Sequence, residues 1–208
     1  MEVVLDVAAH AAALSLAVGI ICTATPSSAL FPWHPTFMVI SFLFLMTEAI
    51  LLFSRHASPL RSASRKTKST VHWIVQTCTG VTFLLGLAAI VTNKYLRGKP
   101  HLMSWHSWFG VGACVMATIQ SCCGAFLFYP NLMPRFTLKQ LKMMHAASGA
   151  LTYSLGCSTV VLACYSNWFV SQDFSLVVWS LFAGGPIFLV AVVARQVYTS
   201  HFERMWKC

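Results

Sequence analysis

Six stretches of this chain are apolar on every side, and each is closed by residues that a lipid-facing helix excludes. The apolar runs fall at about 7–24, 34–53, 71–92, 105–128, 144–165 and 176–197. Each has roughly 18 to 24 residues, the length an α-helix needs to cross a hydrocarbon core of about 30 Å at 1.5 Å per residue. The breaks are Thr25-Pro26-Ser27-Ser28, Arg55 to Ser69, Asn93 to Pro100, Tyr129 to Lys142 and Ser166 to Ser175, rich in turn formers and charge. The pattern predicts an all-α fold, a polytopic six-transmembrane-helix bundle in one domain over residues 1–208. The first run sits where a secretory signal would, but it opens with Glu2 and Asp6 instead of positive charge and is expected to remain as a helix. Six crossings bring both termini to one side.

Composition narrows this further. Hydrophobic residues make up 57% of the 208 and charged residues 9%, with a mean hydropathy of +0.70, which excludes an ordinary soluble domain. Of the 14 lysines and arginines, only Lys94, Arg97 and Lys99 fall on the side away from the termini. That bias predicts cytoplasmic N- and C-termini. It also accounts for the net charge of +9 as topology signal and contact with anionic lipid headgroups, with no nucleic-acid partner. Of eight cysteines, Cys22, Cys78, Cys114, Cys122, Cys123, Cys157 and Cys164 lie in or beside predicted helices and read as small apolar residues. Cys208, beside basic residues, is a candidate for acylation.

Against this background four histidines stand out. His34, His72, His106 and His145 each open a different apolar run. The second and fourth runs start on the non-cytoplasmic side, which places His34 and His106 at one depth; the third and fifth start on the cytoplasmic side and bring His72 and His145 together there. The two pairs span nearly equal lengths of chain. One such histidine alone would read as an interfacial cap or an interhelical hydrogen bond, because a neutral imidazole in lipid must satisfy a donor and an acceptor. Four in this register predict two haem irons, each held axially by a pair of imidazoles. The absence of a C-x-x-C-H motif argues for non-covalent b-type haem. Gly110 and Gly149, each one turn beyond a candidate ligand, and Gly80 and Gly86 in the third run offer smooth helix faces for a flat macrocycle.

His10, His56 and His201 fall near predicted ends or in loops and are expected to be solvated or interfacial. His101, in the loop beside Lys99 and Trp105, reads first as a solvated loop residue and, as the functional alternative, as a candidate contact for an electron acceptor such as ferric iron near the outer haem. Glu48, in the second run, is expected to be paired inside the bundle, the lesser alternative being a proton-linked role. A flavin-linked reductase is excluded as a self-contained unit, because no extramembrane stretch exceeds about 20 residues. The competing reading is a haem-free transporter or channel with the histidines as a proton relay.

The segment Ser104-Trp105-His106-Ser107-Trp108-Phe109-Gly110 resembles the S-x-H-S-W-x-G signature of the cytochrome b561 family. Trp33-His34-Pro35 and Lys142-Met143-Met144-His145-Ala146-Ala147-Ser148-Gly149 are similar to that family's openings of helices two and five. The likeness runs from about Ala8 to Tyr198, and Phe31-Pro32-Trp33-His34-Pro35, Leu45-Met46-Thr47-Glu48-Ala49 and the short termini resemble its small animal branch of cytochrome b561 domain-containing proteins. The resemblance implies two haem b, ligated by His34 with His106 and by His72 with His145. It further implies an ascorbate-dependent transmembrane reductase, with cytoplasmic ascorbate as donor and monodehydroascorbate or ferric iron as acceptor on the far side. Lys66, Lys68, Lys139 and Lys142 are the implied ascorbate contacts. The helix-two ending Leu51-Leu52-Phe53-Ser54-Arg55 departs from the Tyr-Arg or Tyr-Lys of the secretory-granule branch. An endomembrane location, such as the endoplasmic reticulum or a vesicle, and a homodimer complete the implied picture.

Overall fold

The computed structural model describes residues 2–202, with the side chains of His201 and Phe202 left aside. The expectations for His201 and Cys208 therefore lie outside the described residues. Six helices are long and apolar enough to cross a membrane: α1 (Glu2–Ala24), α2 (Trp33–Leu51), α3 (Arg65–Leu96), α4 (Trp105–Gly124), α5 (Leu138–Ala163) and α6 (Leu176–Val197). Among the described residues there is no strand. The chain is a multi-pass membrane protein built as an all-α six-helix bundle.

Serine and threonine caps decide where the helices begin. The Ser64 hydroxyl accepts from the Thr67 amide, and Thr137 with Gln140 closes a reciprocal capping box, each satisfying amides that the first helical turn leaves unpaired. As a result α3 starts at Arg65 and α5 at Leu138, six residues ahead of where hydrophobicity alone would open them. Arg65, Lys66 and Lys68 thus ride on helix, beyond the apolar span.

α2 lies between α1 and α3, α5 lies between α4 and α6, and α6 closes onto α1. Half of the α2 window is buried, against 17% for α3 and for α4, which makes α2 the central element. Its middle, Ile40–Leu45, is wound as a π-helix, and there the Ser41 hydroxyl donates to the Thr79 carbonyl of α3. Phe42 packs so closely on Gly156 of α5 that a Cβ there would meet its ring at 2.5 Å; such glycine contacts let membrane helices approach. Leu84, Leu85, Val115, Ile119, Leu181 and Ile187 are exposed and form the apolar outer surface that lipid covers.

Glu2 and Asp6 at the start of α1, Ser54 after α2 and Arg195 near the end of α6 are in polar contact. They define one face of the bundle, called here the terminal face. The loop joining α4 to α5 lies on the same side, while Ala24 to Trp33, Arg97 to Ser104 and Cys164 to Ser175 lie on the opposite face.

Candidate functional site

On the opposite face His34 and His106 sit side by side, with ring centres 6.1 Å apart and planes at 84°. His106 is the second residue of α4 because Ser104 and Ser107 form a capping box that starts the helix at Trp105. The S-x-H-S motif is thus a device for holding an imidazole at a helix mouth. Nδ1 of His34 donates to the Gly86 carbonyl of α3, 3.0 Å away, and Nδ1 of His106 to the Thr159 carbonyl of α5, 2.9 Å away. With Nδ1 protonated and engaged, each ring keeps its Nε2 lone pair for a ligand.

Toward the terminal face His72 and His145 form a second pair, 6.3 Å between centres and 77° between planes. Nδ1 of His72 donates to the Ala49 carbonyl at 2.8 Å. His145 has a side chain for a neighbour instead: the Gln120 amide donates to its backbone carbonyl at 2.6 Å and lies 3.0 Å from its Nδ1. Gln120 Oε1 in turn accepts from Ser148.

A repeat underlies this arrangement. The anchoring group lies 14 residues after the histidine on its helix in α3 (72 to 86), α4 (106 to 120) and α5 (145 to 159). Helices therefore work in reciprocal pairs, each carrying a histidine for one site and an anchor for the other. In α2 the interval from 34 to 49 is one residue longer, and that helix holds the π turn, which accommodates one extra residue in its winding. At 1.5 Å per residue, 14 residues separate the two sites by about 21 Å along the helices.

The paired rings fit a bis-histidine macrocycle. Two metal–imidazole bonds of about 2.0–2.1 Å, with ~1.1 Å from each ligating nitrogen to its ring centre, give roughly 6.2–6.4 Å between centres, close to the observed 6.1 and 6.3 Å. Among the described residues no three His, Cys, Asp or Glu side chains converge as a ligand set for a bare ion. A ligand that supplies its own equatorial nitrogens needs only two.

The other sequence-predicted residues fall as follows. Lys68 lines a cavity of about 260 Å³ on the terminal face with Phe53, Ser54, Arg55, Arg61, Ala63 and Arg65. Lys66, Lys139 and Lys142 are exposed and are not in its lining. The sequence does not single out the three arginines as site residues, because a basic run beside a membrane span reads equally as a topology signal. Phe53, one wall of this cavity, also touches His72, with ring centres 5.4 Å apart.

His101 is exposed in the loop before α4, a loop closed by Lys94 donating to the Pro100 carbonyl. His10, expected to be solvated or interfacial, is half-buried and hydrogen-bonded to Glu48 and to the loop carbonyl of Ala57. His56 is exposed and pairs with Glu2 at 2.9 Å. Gly149 also serves differently from the smooth face expected of it, since a Cβ there would come 2.9 Å from the Gln120 amide; its bare backbone admits the glutamine beside His145.

Six membrane-crossing helices with two levels of paired imidazoles define a bundle suited to carrying a redox group near each face. The chain belongs to the cytochrome b561 family: the model of eukaryotic cytochrome b561 matches residues 33–170, and that family implies b-type haem. It is 39% identical over 204 residues to the cattle (Bos taurus) protein named transmembrane reductase CYB561D2, covering 98% of this chain and 91% of that one. It is 35% identical over 196 residues to the mouse (Mus musculus) protein named probable transmembrane reductase CYB561D1, covering 94% and 85%. The human (Homo sapiens) transmembrane ascorbate-dependent reductase CYB561 is 30% identical over 131 residues, 62% of this chain and 50% of that protein.

Proposed function

We propose that the chain is a transmembrane reductase that passes electrons from ascorbate on the terminal, cytoplasmic face to an acceptor on the other. The observation that carries this reading is the pair of imidazole sites with ring centres 6.1 and 6.3 Å apart, about 21 Å from one another along the helices. His34 with His106 and His72 with His145 would hold two b-type haems, which supply a reversible one-electron carrier near each face. A proton relay would link imidazole to imidazole, whereas three of these rings spend their Nδ1–H on backbone carbonyls.

The residues around the sites do the rest. Arg55, Arg61, Arg65 and Lys68 line the terminal-face cavity; this cation cluster would concentrate and orient an ascorbate monoanion by several kT of potential. Phe53, between that cavity and His72, offers a packed aromatic bridge inward. Between the sites, allowing for the width of the macrocycles, an edge gap of order 10 Å would remain for tunnelling through packed side chains of the roughly 30 Å core. On the far face His101 would contact the acceptor, monodehydroascorbate or ferric iron. The excess of basic residues on the terminal face supports its cytoplasmic assignment. An endomembrane location and a homodimer follow from family resemblance.

The test is reconstitution of purified protein in vesicles with ferric chelate inside and ascorbate outside. Ascorbate is expected to reduce the haems and then the enclosed iron; haem reduction with no transfer across the bilayer overturns the transmembrane part of the proposal.

A further inference from the structure

One polar constellation stands apart from the histidine pairs. Residues 2, 6 and 10 share one face of α1. Asp6 accepts from Ser54 at 2.5 Å and pairs with Arg195, which also lies 3.6 Å from Glu2. One turn deeper, Nδ1 of His10 is 2.9 and 2.8 Å from the two carboxylate oxygens of Glu48, and its Nε2 donates to the Ala57 carbonyl at 3.1 Å.

The hydrogen bonds fix how many protons the pair holds. A carbonyl only accepts, so Nε2 carries hydrogen. A bare Nδ1 lone pair would repel a carboxylate at 2.8 Å, so a second proton lies between His10 and Glu48. The two ion pairs thus differ in kind. Asp6 faces a guanidinium, which does not deprotonate, whereas Glu48 faces an imidazole, a group that can. The side chains of His10 and Glu48 are 23% and 25% exposed.

The pair also adjoins both parts of the proposed electron path. Glu48 directly precedes Ala49, whose carbonyl anchors His72. The loop of Ser54 to Ala57 lines the donor cavity through Ser54 and Arg55 and roofs His10 through the Ala57 carbonyl. The other titratable or charged groups around the pair are Asp6 and Glu2 on α1, Arg195 on α6, His56 in the loop, Tyr153 on α5, whose hydroxyl is bonded to Thr47, and His72 on α3.

We propose that His10 and Glu48 form a redox-linked proton-binding site: Glu48 takes up one proton when an electron reaches the His72–His145 site and returns it when the electron leaves. This rests on the haem reading above. Ascorbate monoanion would give up one electron and one proton to become the monodehydroascorbate radical anion; the electron would pass to the one-electron carrier that His72 and His145 would hold, and a proton would turn the Glu48 carboxylate into a carboxylic acid. Local charge is then conserved, in a setting where uncompensated charge is costly.

The test is infrared difference spectroscopy of the holoprotein, reduced minus oxidised, with midpoint potentials measured against pH. The wild type is expected to gain a protonated-carboxyl band on reduction that shifts in deuterated water, disappears in Glu48→Gln and persists, displaced, in Glu48→Asp. The inner midpoint is expected to fall as pH rises in the wild type and to lose that slope in Glu48→Gln and His10→Gln. A two-haem wild type with no such band overturns the inference, as does an unchanged slope in both variants. The wild-type band needs no variant to fold. A chain with no haem overturns the haem reading as well.

Discussion

The Nδ1–H of His34 is held by the carbonyl of Gly86, 3.0 Å away on the neighbouring helix. Gly86 stands 14 residues after His72 on α3, so one helix both carries a terminal-side imidazole and anchors one on the opposite side. A Cβ at Gly86 would meet Phe37 Cβ at 3.1 Å and Met38 at 3.3 Å, so any side chain there separates α2 from α3. Gly86→Val is expected to lose the opposite-side haem and keep the terminal-side one, roughly halving the reduced b-type absorbance per chain. Loss of an anchoring partner typically weakens metal affinity 10–100-fold, and a haem titration of the variant reads this.

Gln120 is the one side chain among the four anchors. Gln120→Leu removes its donation to the His145 carbonyl and its contact with Nδ1, leaving the three carbonyl anchors in place. The expected outcome is a change confined to one haem: a shifted midpoint and altered low-spin electron paramagnetic resonance signal for the terminal-side centre, with the other unchanged. Equal shifts in both would show that Gln120 acts on bundle packing and not on its own ligand.

The terminal-face cavity, proposed above to receive ascorbate, carries its own signature. Arg61→Gln and Arg55→Gln remove cations from its lining without touching a histidine. Each is expected to raise the KM for ascorbate on the order of three- to tenfold, up to about 1.4 kcal/mol, with the spectrum intact and the difference shrinking at high salt. Lys66→Gln, outside the cavity, is expected to leave KM nearly unchanged. Steady-state kinetics at two ionic strengths decide it.

The π turn in α2 compensates for one additional residue between His34 and Ala49. Deleting Phe44 from that turn would return the helix to α winding, the interval to 14 and the ends to their present facing. The deletion is therefore expected to be tolerated far better than deletion of Leu85 in regular α3, which rotates one end against the other by about 100°. Retained haem content in both proteins is the measurement; equal loss would separate the π turn from histidine register.

How much of this was legible beforehand follows from the physics each feature depends on. The spans and the shared depth of His34 with His106 and of His72 with His145 are consequences of helix length and chain direction, both written in the hydrophobic pattern. The Ser104 and Thr137 capping boxes add what hydrophobicity does not carry, since polar side chains at the helix mouths fix where α4 and α5 begin. The π turn was not, because Ile40-Ser41-Phe42-Leu43-Phe44-Leu45 contains no proline or glycine and suits ordinary α-helix equally well. The pairing of His10 is absent from the local sequence, because its partner Glu48 lies 38 residues away and only the packing of α1 against α2 brings them together. The Arg55, Arg61 and Arg65 cluster was hidden by redundancy, since one basic run serves both topology and the cavity wall.

Haem stoichiometry of the purified protein tests the central claim most directly. Extraction and pyridine assay per chain, with the reduced-minus-oxidised spectrum, are expected to give about two b-type haems, falling to about one in His72→Ala and in His34→Ala. A folded six-helix protein with no b-type absorbance, or one whose haem content ignores both substitutions, would contradict the account.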